Sequence, residues 1–135
     1  MTNLFVYGTL LNDELMQALV GKTFQTKPAA LGGYLVSCLA DRAAPGMVAS
    51  DGAIARGQLV LDVDDISLQM ITEWEGSDYT ATSVTVKLED GNSVKCLTFV
   101  WNGSVLEEPW DNLRFREEAL AWYLETDIPA FLASR

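Results

Sequence analysis

Asn3-Leu4-Phe5-Val6-Tyr7-Gly8-Thr9-Leu10-Leu11 is the stretch from which the fold of this chain is read. Four apolar or aromatic residues run from Leu4 to Tyr7 and stop at a glycine. That pattern predicts a short strand, buried on both faces, that turns into a helix. Gly8 has no Cβ, so the backbone can turn sharply there and a ligand can come close. Thr9 adds a hydroxyl. The N–H groups that follow point into the mouth of the turn, where they could hold a carboxylate or an oxyanion. On these residues alone, a tight strand-to-helix turn with no ligand is the favoured reading.

Downstream, Asn12 is placed to cap a helix over Asp13–Val20, with Leu15, Met16 and Leu19 on its apolar face and Gly21 at its stop. Phe24–Leu39 carries β-type residues interrupted by Pro28 and Gly32-Gly33, which predicts a bent strand pair or one bulged strand. Asp41–Gly52, rich in Ala, Gly, Asp and Pro, reads as a loop turning at Pro45-Gly46. Ile54–Val63 reads as a strand in which Gly57 is a bulge or a close backbone approach.

The three carboxylates of Asp62-Val63-Asp64-Asp65 suggest a metal loop at first sight. The further ligands and spaced glycine of a calcium loop are missing, so Asp64 or Asp65 is better read as the cap of a helix running to Trp74. Ile66, Met70, Ile71 and Trp74 form the expected apolar face, and Gly76 ends the helix in a left-handed conformation. Thr80–Leu88 and Ser93–Trp101 form a hairpin around Asp90-Gly91. Asp111 caps a last helix to about Glu125, with Phe115, Ala119, Trp122 and Tyr123 towards the core and Pro129 barring continuation.

A chain of 135 residues, 49% hydrophobic, forms one globular domain over 1–135. Its formal charge of −10 repels nucleic-acid phosphates and anionic lipid, so neither nucleic acid nor membrane is an expected partner. No membrane-length apolar stretch or cationic leader is apparent, which predicts a cytoplasmic protein. Cys38 and Cys96 are expected to be buried, reduced thiols. The chain has no histidine, which excludes Ser-His and Cys-His catalysis and leaves carboxyl, lysine, tyrosine, cysteine or backbone groups to move protons.

Among the acids, Glu75 stands out. It lies at the negative end of an apolar helix, after Trp74 and before Gly76, with Tyr79 close by. Both surroundings disfavour a carboxylate and should raise its pKa, as a general acid/base near neutral pH requires. An exposed residue in a last helical turn is the other reading.

Val6-Tyr7-Gly8-Thr9-Leu10-Leu11 resembles the V-Y-G-(T/S)-L opening of the gamma-glutamylcyclotransferase-like family. Glu75-Gly76, followed by Tyr79, Val84 and Val86, is similar to its E-G…Y…V-x-V segment. Pro45-Gly46-Met47-Val48 and Arg56-Gly57-Gln58-Leu59 fall where the family has a proline loop and a glycine-led strand. Trp110 to Tyr123 resembles the closing helix of the branch typified by plant avirulence-induced proteins. The resemblance implies an α+β fold: a small mixed β-barrel with peripheral helices.

It also implies an active site between the Tyr7–Leu10 loop and Glu75, acting on a small gamma-glutamyl substrate without metal or cofactor. The substrate's α-amine attacks its own side-chain carbonyl, closing 5-oxoproline and releasing an amine or amino acid. Glu75 is then the catalytic acid/base. Tyr7, Gly8, Thr9, Leu10 and Tyr79 bind substrate, the backbone N–H groups holding its carboxylate or the developing oxyanion. Two departures are visible: Ala81 replaces a basic residue that is frequent two positions after the tyrosine, and Ala44 replaces an aromatic before Pro45. The loss at Ala81 leaves open a non-catalytic module that senses a small acidic metabolite. The leaving amine and the oligomeric state are not specified by the sequence.

Overall fold

Five strands close around β1 (Thr2–Val6) in the computed structural model, which describes residues 1–135. β1 pairs antiparallel with β3 (Gly46–Val63) and parallel with β5 (Ser93–Trp101). β2 (Thr26–Ser37) lies between β3 and β4 (Tyr79–Leu88), and β4 returns to β5 through the Asp90-Gly91 hairpin. The order β1-β3-β2-β4-β5 is a closed mixed barrel, which leaves no free sheet edge.

Alternation along β1 divides the apolar interior. Leu4 and Val6 point out to a cluster with Leu15, Ile71, Phe115 and Ile128 from the helices. Phe5 and Tyr7 point into the barrel against Met47, Leu59 and Val86. The strand is therefore covered on both faces, as its sequence predicts. An added Cβ on Gly57 would run into the Val6 carbonyl, so β1 and β3 approach closely there.

In the sheet, one open sequence reading is decided and one expectation changes. Phe24–Leu39 yields one long strand, β2, with a register shift between Gly32 and Tyr34. The expected Asp41–Gly52 loop stops at Pro45, because Gly46 to Ala49 pair with Ser37 to Tyr34. Their small residues look like loop composition, but pairing satisfies the backbone and leaves Met47 fully buried.

In α1 (Asp13–Val20), Leu15, Met16 and Leu19 are buried and Gly21 ends the helix in the left-handed region. In α2 (Asp65–Glu75), the Asp64 carboxylate accepts the Ser67 N–H at 3.0 Å and pairs with Lys22 at 3.0 Å. This capping sets the helix phase. Ser67 and Ile71 face inward and Ile66, expected in the core, is 74% exposed. Gly76 has φ +79° and ψ −175°, an extended mirror-image conformation open essentially to glycine, rather than the expected left-handed helical one.

Asp111 caps α3 (Asn112–Glu118) through the Leu113 and Arg114 N–H groups. The helix does not continue to Glu125 as one piece. It breaks at Ala119, resumes as α4 (Leu120–Trp122), opens into a π turn (Tyr123–Asp127) and continues as α5 (Ile128–Ala133). Pro129 sits in the first turn of α5, where its missing N–H costs no bond, so it begins a helix instead of barring one. The altered phase sends Trp122, expected in the core, to the surface at 53% exposure. Cys96 is buried and Cys38 only half-buried, both as free thiols. No helix is long and apolar enough to cross a membrane.

Candidate active site

After β1 the chain passes through Tyr7 and Gly8 into one 3-10 turn, Thr9–Leu11. The Leu11 and Asn12 N–H groups close that turn on the Gly8 and Thr9 carbonyls at 2.9 and 3.2 Å. The Gly8, Thr9 and Leu10 N–H groups stand at its start, ahead of the first carbonyl it offers, so the turn supplies them no acceptor. They make no bond to any loop or cap carbonyl. Gly8 is required for a reason the sequence did not reveal. A Cβ there would lie 2.6 Å from Pro45 Cγ, so the proline ring, rather than a ligand, occupies that space.

Asn12 holds the far end of the loop. It does not cap α1 through its side chain, as its position suggested. Its buried amide instead donates to the Thr9 carbonyl and to Asn112 Oδ1, both at 2.9 Å, and its oxygen accepts from Arg116 at 2.8 Å. The loop is thereby tied to α3.

Opposite the loop stands the end of α2. The spacing Ser67, Ile71, Glu75 follows one helical face, so the phase that buries the first two turns Glu75 inward. The Glu75 carboxyl makes no hydrogen bond within the protein, and burial pushes its pKa up to about 8. Tyr7 and Tyr79 are both raised by burial first and by the neighbouring Glu75 second, which places their phenols around this carboxyl.

Between the loop and α2 is a cavity of about 130 Å³, lined by Tyr7, Gly8, Thr9, Leu10, Glu75 and Tyr79 together. A cavity near 150 Å³ holds a benzene-sized guest, so this one suits a group of about a five-membered ring. Both phenols donate to backbone carbonyls, Tyr7 to Phe99 and Tyr79 to Pro45 at 2.8 Å. They offer a guest ring faces and oxygen lone pairs, while their protons are engaged.

Two charged lining residues were not singled out from the sequence. The Arg42 guanidinium lies 4.8 Å above the Trp101 ring and bonds Asp41 and Asp78, each at 3.1 Å. Trp101 in turn packs edge-on against Tyr79 at 5.1 Å. Arg42 sits among small loop residues, and only its contacts across the fold mark it. Asp127 accepts the Trp74 indole N–H at 2.8 Å. Of the two departures, Ala44 lines the cavity, whereas Ala81 is exposed on β4 and does not.

Residues 4–122 match the model of the family described as "Gamma-glutamyl cyclotransferase, AIG2-like". "Protein AIG2 C" of Arabidopsis thaliana is 33% identical over 100 residues, which cover 73% of this chain and 61% of that protein. The matched stretch therefore spans under two thirds of that relative. A solution structure of an Arabidopsis thaliana protein superposes with a TM-score of 0.72 at 28% identity, covering 98% of this chain and 83% of the other. A structure titled "Gamma-glutamyl cyclotransferase" has a TM-score of 0.68 at 14% identity, covering 96% and 86%, which shows the shared fold.

Proposed function

Because the chain belongs to the gamma-glutamyl cyclotransferase, AIG2-like family, we propose that it converts a gamma-glutamyl amine or gamma-glutamyl amino acid to 5-oxoproline and a free amine. Glu75 is the general acid/base. The observation that carries this reading is a carboxyl raised to about 8 in a small cavity that it shares with the Gly8–Leu10 loop.

The substrate arrives with its α-amine protonated. Ionised Glu75 takes one of those protons, and the free amine attacks the side-chain amide carbon, forming the ring C–N bond and an oxyanion. The Gly8, Thr9 and Leu10 N–H groups stabilise that charge or hold the substrate carboxylate. Glu75 gives its proton to the departing nitrogen as the old C–N bond breaks. It then takes the second proton from the ring nitrogen, and this proton leaves with the product amine. Amine and carbonyl already belong to one molecule, so the gain from the cavity is to hold them in a near-attack geometry, which contributes several kcal/mol. Tyr7 and Tyr79 wall the cavity and exclude water.

The test is incubation with a panel of gamma-glutamyl amines, gamma-glutamyl dipeptides and glutathione. Equimolar 5-oxoproline and amine are expected from at least one. Release of glutamate instead would contradict cyclisation. Silence across the panel, with glutamate or 5-oxoproline still raising the melting temperature, would establish the non-catalytic binding module.

A further inference from the structure

Asp127 lines both the cavity and a surface groove that continues from it past Arg42 and Tyr123 towards Ala119 and Trp122. It ends the π turn Tyr123–Asp127, a feature that inside helices often accompanies functional sites. The Trp74 N–H on Oδ2 at 2.8 Å fixes the carboxylate, leaving Oδ1 without a hydrogen bond.

The charges around the groove are unequal. Asp41 pairs with Arg42 and Glu118 pairs with Arg114, each at 3.1 Å, while Asp127 has no cationic partner. Arg42, the cavity's one basic side chain, already carries both Asp41 and Asp78. A substrate entering here meets a free negative charge and no free positive one. With a formal charge of −10, the chain also draws cations to its surface.

Asp127 is set apart from the proton-transfer carboxyl. Burial alone accounts for the shift of Glu75, whereas Asp127 bears on Tyr123, which also feels Glu75 more weakly. Tyr123 thus lies near both acids, and of the two only Asp127 also lines the groove. If Glu75 handles the attacking and departing nitrogens, Asp127 faces what lies beyond the departing one. The family match ends at residue 122, so Asp127 lies outside the segment that it describes.

We propose that Asp127 is a specificity-determining residue, its carboxylate at the junction of cavity and groove receiving a positive charge carried by the leaving amine. The preferred substrates are then gamma-glutamyl amides of diamines, which end in a second ammonium. This inference rests on the cyclotransferase reading above.

Three substrates of one chain length test it: the gamma-glutamyl amides of putrescine, n-butylamine and γ-aminobutyrate, which end in a cation, a methyl group and an anion. The wild type should favour the putrescine amide over the γ-aminobutyrate amide by about tenfold or more in kcat/KM. Asp127→Asn, which keeps an acceptor for Trp74, should bring that ratio down to about threefold or less. Should that variant not fold, the wild-type preference must still shrink as salt is raised.

A wild type that turns over all three without preference overturns the inference and leaves the cyclotransferase reading intact. So does a preference that survives both Asp127→Asn and high salt. No turnover of any of the three, with none from the wider panel either, refutes the cyclotransferase reading and this inference with it.

Discussion

Replacing Glu75 with Gln isolates the energetic consequence of burying a carboxyl in the cavity. Its pKa moves from an ordinary value of 4.5 to about 8 on folding. Between those values the folded protein binds more protons than the unfolded chain, so stability is full below about pH 4.5 and falls as pH rises towards 8. Each pH unit is worth about 1.4 kcal/mol, so the gap of about 3.5 units corresponds to about 5 kcal/mol, as an upper bound. A domain of this size has a total stability of only about 5–15 kcal/mol, so the effect is large. The assay is urea unfolding of wild type and Glu75→Gln from pH 5 to pH 9. Glutamine has the same shape and does not titrate. The two proteins should be close in stability at pH 5, and the variant should be the more stable by several kcal/mol at pH 9. Parallel curves across the range would refute the reasoning, because they would mean that Glu75 ionises as readily in the folded protein as in the open chain.

Gly8→Ala should cost about 1–3 kcal/mol, read as a lowered urea midpoint, because the new Cβ meets Pro45 Cγ at 2.6 Å. An unchanged midpoint would show that Pro45 yields freely. Asn12→Ala removes the buried amide between the loop and α3, and thermal unfolding should report a loss of about 1–3 kcal/mol. Tyr79→Phe deletes the bond to the Pro45 carbonyl and should destabilise by about 1 kcal/mol. Because the Tyr79 proton is already engaged, kcat should fall less in this variant than in Glu75→Gln. The reverse order would assign the phenol a direct part in proton transfer.

The barrel was most legible where neighbours along the chain carry the information. Leu4 to Tyr7 forms a doubly buried strand because alternate residues face the helices and the barrel interior. The Asp90-Gly91 turn and the Asp64 cap act through adjacent backbone, so local rules suffice. Legibility failed where a distant partner decides. Gly46–Ala49 looks like loop until β2 pairs with it, and Asn12 turns from a cap into a bridge because Asn112 and Arg116 lie beside it. Glu75 could be singled out from its helix end and aromatic neighbours, but burial in the cavity is what raises its pKa. Arg42 and Asp127 reach the same cavity from a loop and a π turn that no local pattern announces.

The central claim is that Glu75 moves the protons of the cyclisation. The most direct test compares 5-oxoproline release by the wild type and Glu75→Gln on the best substrate across pH. The wild-type kcat/KM should rise through about pH 8 as the base form appears. The variant should lose about 10²–10⁴-fold, as expected when a general acid/base is removed. A variant that stays within a few-fold of the wild type, or a wild-type profile flat from pH 6 to pH 9, would contradict the account.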